Sequence, residues 1–318
     1  MARDLLSTAV RLALLLCFLG GGYGARKPFR SQAEKVARLR QLLNGPVLTV
    51  MPCCYDGITS RLVEDAGFEL TFMTGFGVSA AAGLPDTGLV TQDEMVRAAQ
   101  VICSSTSIPC IGDGDTGFGG NEMNIKRTVQ RYAASGLAGI MIEDQVLPKR
   151  CGHTEGKEVV GREEAYRRVR AAVDARNEGQ DIVILARTDA RATLGLDEAI
   201  ERCRVFRELG ADWTFLEAPQ SLEEMARYCQ AVSGPKLANM LEGGKTPIRP
   251  PSELQALGFS VAAYPLTLLS ASMKIMKTVL GLIKTGTNTD HLLTPFQELQ
   301  QDVGFVEYDA ALKKYYQK

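Results

Sequence analysis

Acidic and cationic side chains recur in this 318-residue sequence where short apolar runs stop, and their types decide what chemistry to expect. Gly112-Asp-Gly-Asp-Thr-Gly-Phe-Gly119 sets two carboxylates, Asp113 and Asp115, among glycines that let backbone and ligand approach closely. That pattern suits a hard divalent cation held by one or two carboxylates, waters and substrate oxygens. Mg2+ is the natural candidate, or Mn2+ in its place, and a turn with self-capping aspartates is the competing reading. Glu143 and Asp86 are further carboxylates for its surroundings.

Arg187, in Ala186-Arg-Thr-Asp-Ala190, closes an apolar run. A guanidinium there could grip a substrate carboxylate with two parallel hydrogen bonds, where a lysine offers only a point charge. The alternative is a buried ion pair with Asp189 or Glu217. Thr74-Gly-Phe-Gly77 could present backbone N–H groups to a second carboxylate. Lys149-Arg-Cys-Gly-His153, with Gly156 and Lys157, forms a cationic loop with glycine hinges that could close over a site and expel water. Its cations lower the pKa of the Cys151 thiol, making it an effective proton carrier near neutrality. A solvated surface loop is the plainer reading of the same residues.

The elements that would carry these groups alternate. Short β-rich runs fall at 47–51, 69–74, 109–113, 138–144, 182–187, 212–217, 236–240 and 259–264, and between them lie stretches with apolar residues three and four apart. Helices are expected at 60–66, 92–104, 124–134, 162–178, 196–209, 222–232 and 251–256, four of them stopped by Gly67, Gly136, Gly210 and Gly258. Eight strand–helix alternations imply parallel strands with right-handed crossovers, most simply a (β/α)8 TIM barrel. Reactive groups then gather at the carboxyl ends of the strands. An open doubly wound sheet is the alternative, but Pro52-Cys-Cys-Tyr-Asp56 lacks the Gly-rich turn that marks one.

Composition narrows the partners. With 36 basic against 37 acidic residues and no basic block, the chain is not built for nucleic acid or anionic lipid, which leaves a small-molecule site. Residues 1–24 read as a targeting leader: Arg3 and Arg11 precede an apolar run too short to span a bilayer. Residues 25–318 are then one barrel with a helical extension. A low-pKa thiol is at risk in an oxidising compartment, which favours an organelle such as a plastid over secretion, with the cytoplasm as the remaining option. Eight cysteines in this length are no disulfide scaffold; Cys53, Cys54, Cys103, Cys110, Cys203 and Cys229 lie in or beside apolar segments and read as core. The helix at 266–284 carries one narrow polar stripe, Ser270, Lys274, Lys277 and Lys284, and is apolar elsewhere. One barrel wall cannot bury so wide a face, which points to a second copy of the chain or to cover by residues 294–316.

Read together, Asp113-Gly-Asp-Thr-Gly117, Glu143-Asp-Gln145 with Pro148-Lys-Arg-Cys-Gly-His153, Ala186-Arg-Thr-Asp189 and Asn239-Met-Leu-Glu-Gly-Gly-Lys-Thr-Pro247 resemble the isocitrate lyase and phosphoenolpyruvate mutase superfamily over approximately residues 35 to 310. The resemblance implies a barrel whose last helix is exchanged with a neighbour in a dimer or tetramer. It also implies Mg2+ near Asp113, with Asp86, Asp115 and Glu143 around it, and substrate held by Arg187 and the backbone at Gly75 to Gly77. The loop from Lys149 to Lys157 corresponds to the family's gate.

Cys151 favours the carbon–carbon lyase branch, because an enolate left by retro-aldol cleavage must be protonated whereas phosphoryl migration needs no such acid. Cys151, Tyr55 as base for a substrate hydroxyl, Arg187 and Glu143 are therefore expected to carry the chemistry. Thr74, Gly75, Phe76, Gly77, Lys149, Gly152, His153, Asn239 and Glu217 are expected to join Arg187 around the substrate. The Glu-Gly-Gly-Lys-Thr-Pro form resembles members acting on oxaloacetate or 2-alkylmalates. Phosphoryl transfer on the same fold, and a non-catalytic barrel that only binds, are the alternatives.

Overall fold

A computed structural model describes residues 30–150, 152–153 and 156–316. The leader expected at 1–24, with Cys17, and the thiol of Cys151 lie outside the described residues.

Eight parallel strands form a nearly closed (β/α)8 barrel: β1 Thr49–Cys54, β2 Thr71–Met73, β3 Cys110–Asp113, β4 Gly139–Glu143, β5 Val183–Thr188, β6 Trp213–Leu216, β7 Leu237–Asn239 and β8 Val261–Tyr264. The hydrogen-bonded order runs β6-β5-β4-β3-β2-β1-β8-β7, and one parallel bridge between Thr214 and Lys236 joins β6 to β7 and completes the ring. Every strand expected from the apolar runs is present. The first is displaced: it continues through Pro52, whose carbonyl accepts the Thr71 hydroxyl at 2.9 Å, instead of stopping before it. Cys53 and Cys54 are thereby strand residues facing opposite ways, Cys53 into the barrel and Cys54 toward the surrounding helices.

The helices are α1 Gln32–Leu43, α2 Gly57–Asp65, α3 Gly75–Ala81, α4 Gln92–Ser105, α5 Glu122–Ala134, α6 Arg162–Asn177, α7 Ala190–Thr193, α8 Leu196–Glu208, α9 Leu222–Ala231, α10 Pro251–Leu257, α11 Thr267–Lys284, α12 Phe296–Val303 and α13 Phe305–Tyr316. Gly67, Gly136, Gly210 and Gly258 have φ between 86° and 107°, the left-handed stop expected of them.

Three helices were not anticipated, the short α7 and two that shape the site. α1 starts at a capping box between Ser31 and Glu34 and sends Val36, Leu39, Leu42 and Leu43 into the cluster that fills the barrel interior. It closes the amino end of the barrel: a Cβ on Gly139, where β4 begins, would lie 3.2 Å from the Leu39 side chain. The interior is thus plugged at one end and can be open to ligand only at the other. α3 takes up the Thr74-Gly-Phe-Gly77 segment, with Thr74 as its N-cap.

Helix α11 keeps the wide apolar face that the sequence shows. Leu269 is its only buried residue, while Met276, Leu280 and Ile283 are 53%, 65% and 61% exposed. The following segment does not cover it. α12 turns onto α2 instead, where Arg61 Nη1 donates to the Val303 carbonyl at 2.8 Å, and Phe296, Phe305 and Tyr308 are themselves exposed. Among the described residues no helix is long and apolar enough to cross a membrane. The six described cysteines are all unpaired, five of them buried and Cys229 partly so.

Candidate active site

The carboxyl ends of the strands surround a cavity of about 80 Å3. This is well below the ~300 Å3 at which drug-sized pockets begin, so a small molecule is the fitting occupant. Its wall is chemically mixed. It carries Asp113, Glu143, Arg187, Glu217 and Asn239 from successive strand ends, with Asp86, Lys149 and His153 brought in by loops. Apolar residues interleave with these: Met141 and Phe215 on the same strands, with Met51, Cys53, Phe72, Phe76, Leu237, Leu241, Ala263, Pro265 and Leu266.

Arg187 is the centre of the charged groups. Its Nε donates to Asp189 Oδ2 at 2.8 Å and its Nη2 to Asp189 Oδ1 at 3.1 Å, while Glu217 Oε2 lies 3.2 Å from Nη2 and Glu143 Oε2 3.4 Å from Nε. The guanidinium also stacks 5.1 Å from the ring centre of Phe215. The ion-pair arrangement weighed above is therefore the one observed. Nη1 has no partner among the described residues and remains for a ligand. Burial works against the charge on Arg187, but Asp189, Glu217 and Glu143 outweigh it and hold the guanidinium protonated. Burial likewise opposes the charge of Glu217, and Arg187 and His153 reverse the effect, keeping its carboxyl well below the usual range. At Glu143 burial wins and pushes the carboxyl up.

The described part of the Lys149–Lys157 loop is seated over this cavity. Lys149 Nζ lies 2.7 Å from Asp86 Oδ1 and also pairs with Asp115. His153 Nδ1 accepts the backbone N–H of Lys245 at 3.0 Å, so in the neutral ring the proton sits on Nε2, which donates to Glu217 Oε1 at 3.0 Å. Asn239 Nδ2 reaches the same Glu217 carboxylate at 3.3 Å. Lys157 Nζ pairs with Asp189 Oδ1 at 2.6 Å and donates to the Gly152 carbonyl. Gly152 has to be glycine here, since any Cβ would overlap Arg187 Nη2 and Glu217 Oε2.

Two of the expected placements differ. Tyr55 is not among the residues lining the cavity; its hydroxyl donates to Ser272 Oγ on α11 at 3.4 Å. Gly75 and Gly77 are not among the residues lining the cavity, although Thr74 and Phe76 are. The Gly75 N–H donates to Asp113 Oδ2 at 3.2 Å, and Gly77 packs against Tyr55 and Thr74. Asp113, Asp86, Asp115 and Glu143 form no preformed cage, and among the described residues no three acidic, His or Cys side chains stand close enough to hold a metal.

The donors nevertheless fit a hard cation that brings waters and substrate oxygens with it. All are carboxylate oxygens, and Glu143 Oε1 is buried with no hydrogen-bond partner among the described residues. Six carboxylates, Asp86, Asp113, Asp115, Glu143, Asp189 and Glu217, share this end of the barrel with four cations, Lys149, Arg150, Lys157 and Arg187. Burial, joined by the neighbouring Asp113 and Asp86, pushes Asp115 up to about 7 against the pull of Lys149.

Sequence reasoning passed over Phe215 and the apolar lining, because an inward apolar residue on a strand looks like core. Alternation along β6 from Trp213 would have marked Phe215 as inward, and its place at the carboxyl end of the strand as ligand-facing.

Comparison with known proteins agrees with this geometry. The family profile described as phosphoenolpyruvate phosphomutase matches residues 39–284. A 2,3-dimethylmalate lyase from Eubacterium barkeri is 43% identical over 254 residues, 80% of this chain and 87% of that protein. Among solved structures, an oxaloacetate acetylhydrolase in complex with 3,3-difluorooxalacetate superposes with a TM-score of 0.85 at 36% identity, covering 91% of this chain and 99% of the other. A phosphonopyruvate hydrolase bound to oxalate and Mg2+ superposes with a TM-score of 0.79 at 27% identity, covering 89% and 99%. With the barrel, the strand-end charges and the seated loop in place, the chain belongs to the phosphoenolpyruvate phosphomutase family and is a carbon–carbon lyase of the isocitrate lyase/phosphoenolpyruvate mutase superfamily.

Proposed function

We propose that this enzyme cleaves a carbon–carbon bond in a small 2-hydroxy or 2-oxo dicarboxylate, a 2-alkylmalate in preference to oxaloacetate, which has a 2-oxo group and no alkyl group. The carrying observation is the mixed lining of the cavity, where the charged groups around Arg187 share the space with apolar side chains that include Phe72, Leu241 and Leu266. A substrate with both carboxylates and alkyl groups satisfies both. Oxaloacetate, lacking an alkyl group, leaves the apolar side chains without a partner, and each buried methylene is worth ~0.8 kcal/mol.

Arg187 binds a substrate carboxylate through Nη1, its plane held by Asp189 on one edge and by the Phe215 ring below. Glu217, fixed by His153 and Asn239, keeps the guanidinium charged. Glu143 Oε1, unpartnered among the described residues, accepts the proton of the substrate hydroxyl in the place first assigned to Tyr55. As that O–H bond breaks, the new carbonyl forms and the adjacent carbon–carbon bond gives its electron pair to an enolate. The thiol of Cys151 then protonates the enolate carbon. Asp113, Asp86, Asp115 and Glu143 would hold Mg2+, or Mn2+; when bound, the ion polarises substrate oxygens and offsets enolate charge. The seated Lys149–His153 segment excludes water from the enolate.

The reading extends to the rest of the chain. Residues 1–24 serve as a leader to an organelle, the plastid preferred, and a fluorescent protein carrying residues 1–35 should leave the cytosol. The uncovered face of α11 packs in a second copy of the chain by exchange of that helix. Sedimentation should show a dimer or tetramer, and Leu280→Glu should shift it toward monomer; a monomeric parent protein would remove this part.

A panel of 2-alkylmalates, oxaloacetate and phosphonopyruvate, read by mass spectrometry and 31P NMR, tests the activity. Cleavage of the 2-alkylmalates with a higher kcat/KM than oxaloacetate is expected, abolished by EDTA and restored by Mg2+ or Mn2+. Turnover confined to phosphonopyruvate would replace lyase chemistry with phosphoryl transfer, and no turnover with retained oxalate binding would mark a non-catalytic barrel. Cys151→Ala should lower kcat ~100- to 10,000-fold while sparing metal binding. Unchanged turnover in that variant would remove the thiol from the mechanism.

A further inference from the structure

Behind the cavity wall lies a second buried ion pair that touches no cavity surface. Asp144, the residue after β4, and Arg202, on α8, are each only 1% exposed, and neither lines the cavity. Arg202 Nη1 donates to Asp144 Oδ2 at 2.9 Å. The same carboxylate accepts the Thr188 hydroxyl at 2.6 Å on Oδ2 and the backbone N–H of Asp189 at 2.9 Å on Oδ1. Asp189 in turn grips Arg187 at Nε and Nη2.

We propose that Asp144 and Arg202 are positioning residues for substrate binding: together they fix the end of β5 so that the Asp189 carboxylate aims the free Nη1 of Arg187 into the cavity. The proposal rests on the reading of Arg187 as the holder of a substrate carboxylate.

The arrangement goes beyond what the helix requires. α8 buries Ala199, Cys203 and Phe206, three to four residues apart, and that apolar stripe seats it without a cation. Arg202 also reaches Glu198 Oε1 at 2.9 Å, one turn back, so its guanidinium is held from both sides and directed at Asp144. A fully buried arginine is rare unless paired, and this one is spent on a carboxylate whose remaining bonds go to Thr188 and Asp189 alone among side chains and turn backbone at the end of β5. Glu143 and Asp144 are neighbours on β4's end that face opposite ways, Glu143 to the ligand and Asp144 to the support of Arg187.

The test uses the full chain with Mg2+ and measures KM and kcat on its best substrate, the Kd of oxalate by calorimetry, and the melting temperature. Arg202→Met should raise KM and the oxalate Kd ~10- to 100-fold, the range found when groups supporting a site's direct ligands are removed. Arg202→Lys, which keeps the charge without the fork, should fall between. A folded Arg202→Met protein with KM and Kd within twofold of the parent overturns the proposal. If that variant does not fold, the double variant D144N/R202M leaves no lone buried charge. Its melting temperature should recover while KM stays raised; a KM equal to the parent's overturns the proposal. Arg187→Met separates the premise: if it binds oxalate as the parent does, the carboxylate-holding role fails and the proposal with it. If Arg187→Met loses oxalate and the Arg202 variants do not, only the positioning role is lost.

Discussion

One buried guanidinium organises the carboxyl end of this barrel. Arg187 is shared among Asp189, Glu217 and Glu143, and the cations that accompany it, Lys157 and Lys149, are tied to the same carboxylate field. Removing one partner from a buried pair costs about 3–5 kcal/mol, a large share of the ~5–15 kcal/mol that holds a domain together. Each of these cations is paired with carboxylates, and that mutual dependence pins the ends of β4, β5 and β6 to one another. Substrate recognition thus uses a group whose geometry the fold already has to maintain.

The loop above the cavity belongs to the same electrostatic unit. Lys149 reaches Asp86 and Asp115, His153 reaches Glu217, and Lys157 reaches Asp189, so the segment is seated by the charges it covers. Gly152 permits this closeness, because its missing side chain leaves room for the contact between Arg187 and Glu217. A cover held by ion pairs to a ligand site responds to whatever changes the charge of that site, which couples ligand and metal occupancy to enclosure.

The apolar lining of the cavity comes from a different source. Met51, Cys53, Phe72, Leu237 and Ala263 are upper members of the interior packing that α1 plugs from below. Their position at the top of the core, not their chemistry, makes them ligand-facing. Sequence reasoning placed Cys53 in the core and omitted the others from the site, for the physical reason that hydrophobic alternation separates inside from outside but not the middle of a barrel from its mouth.

Sequence alone determined the eight-fold alternation of strand and helix, the glycine stops, and the gathering of Asp113, Glu143, Arg187, Glu217 and Asn239 at strand ends, since periodicity and turn chemistry are local properties of neighbouring residues. The capping box at Ser31–Glu34 was equally local and marks a helix that could have been read. Tertiary structure decided which of these groups meet: Arg187 with Asp189, Lys149 with Asp86 and Asp115, and Tyr55 with Ser272 rather than with a substrate. Such pairings join residues up to 217 positions apart or depend on which way a side chain turns at a strand end. Both are settled by the closing of the barrel and the exclusion of water, and neither leaves a mark on the order of residues in the chain.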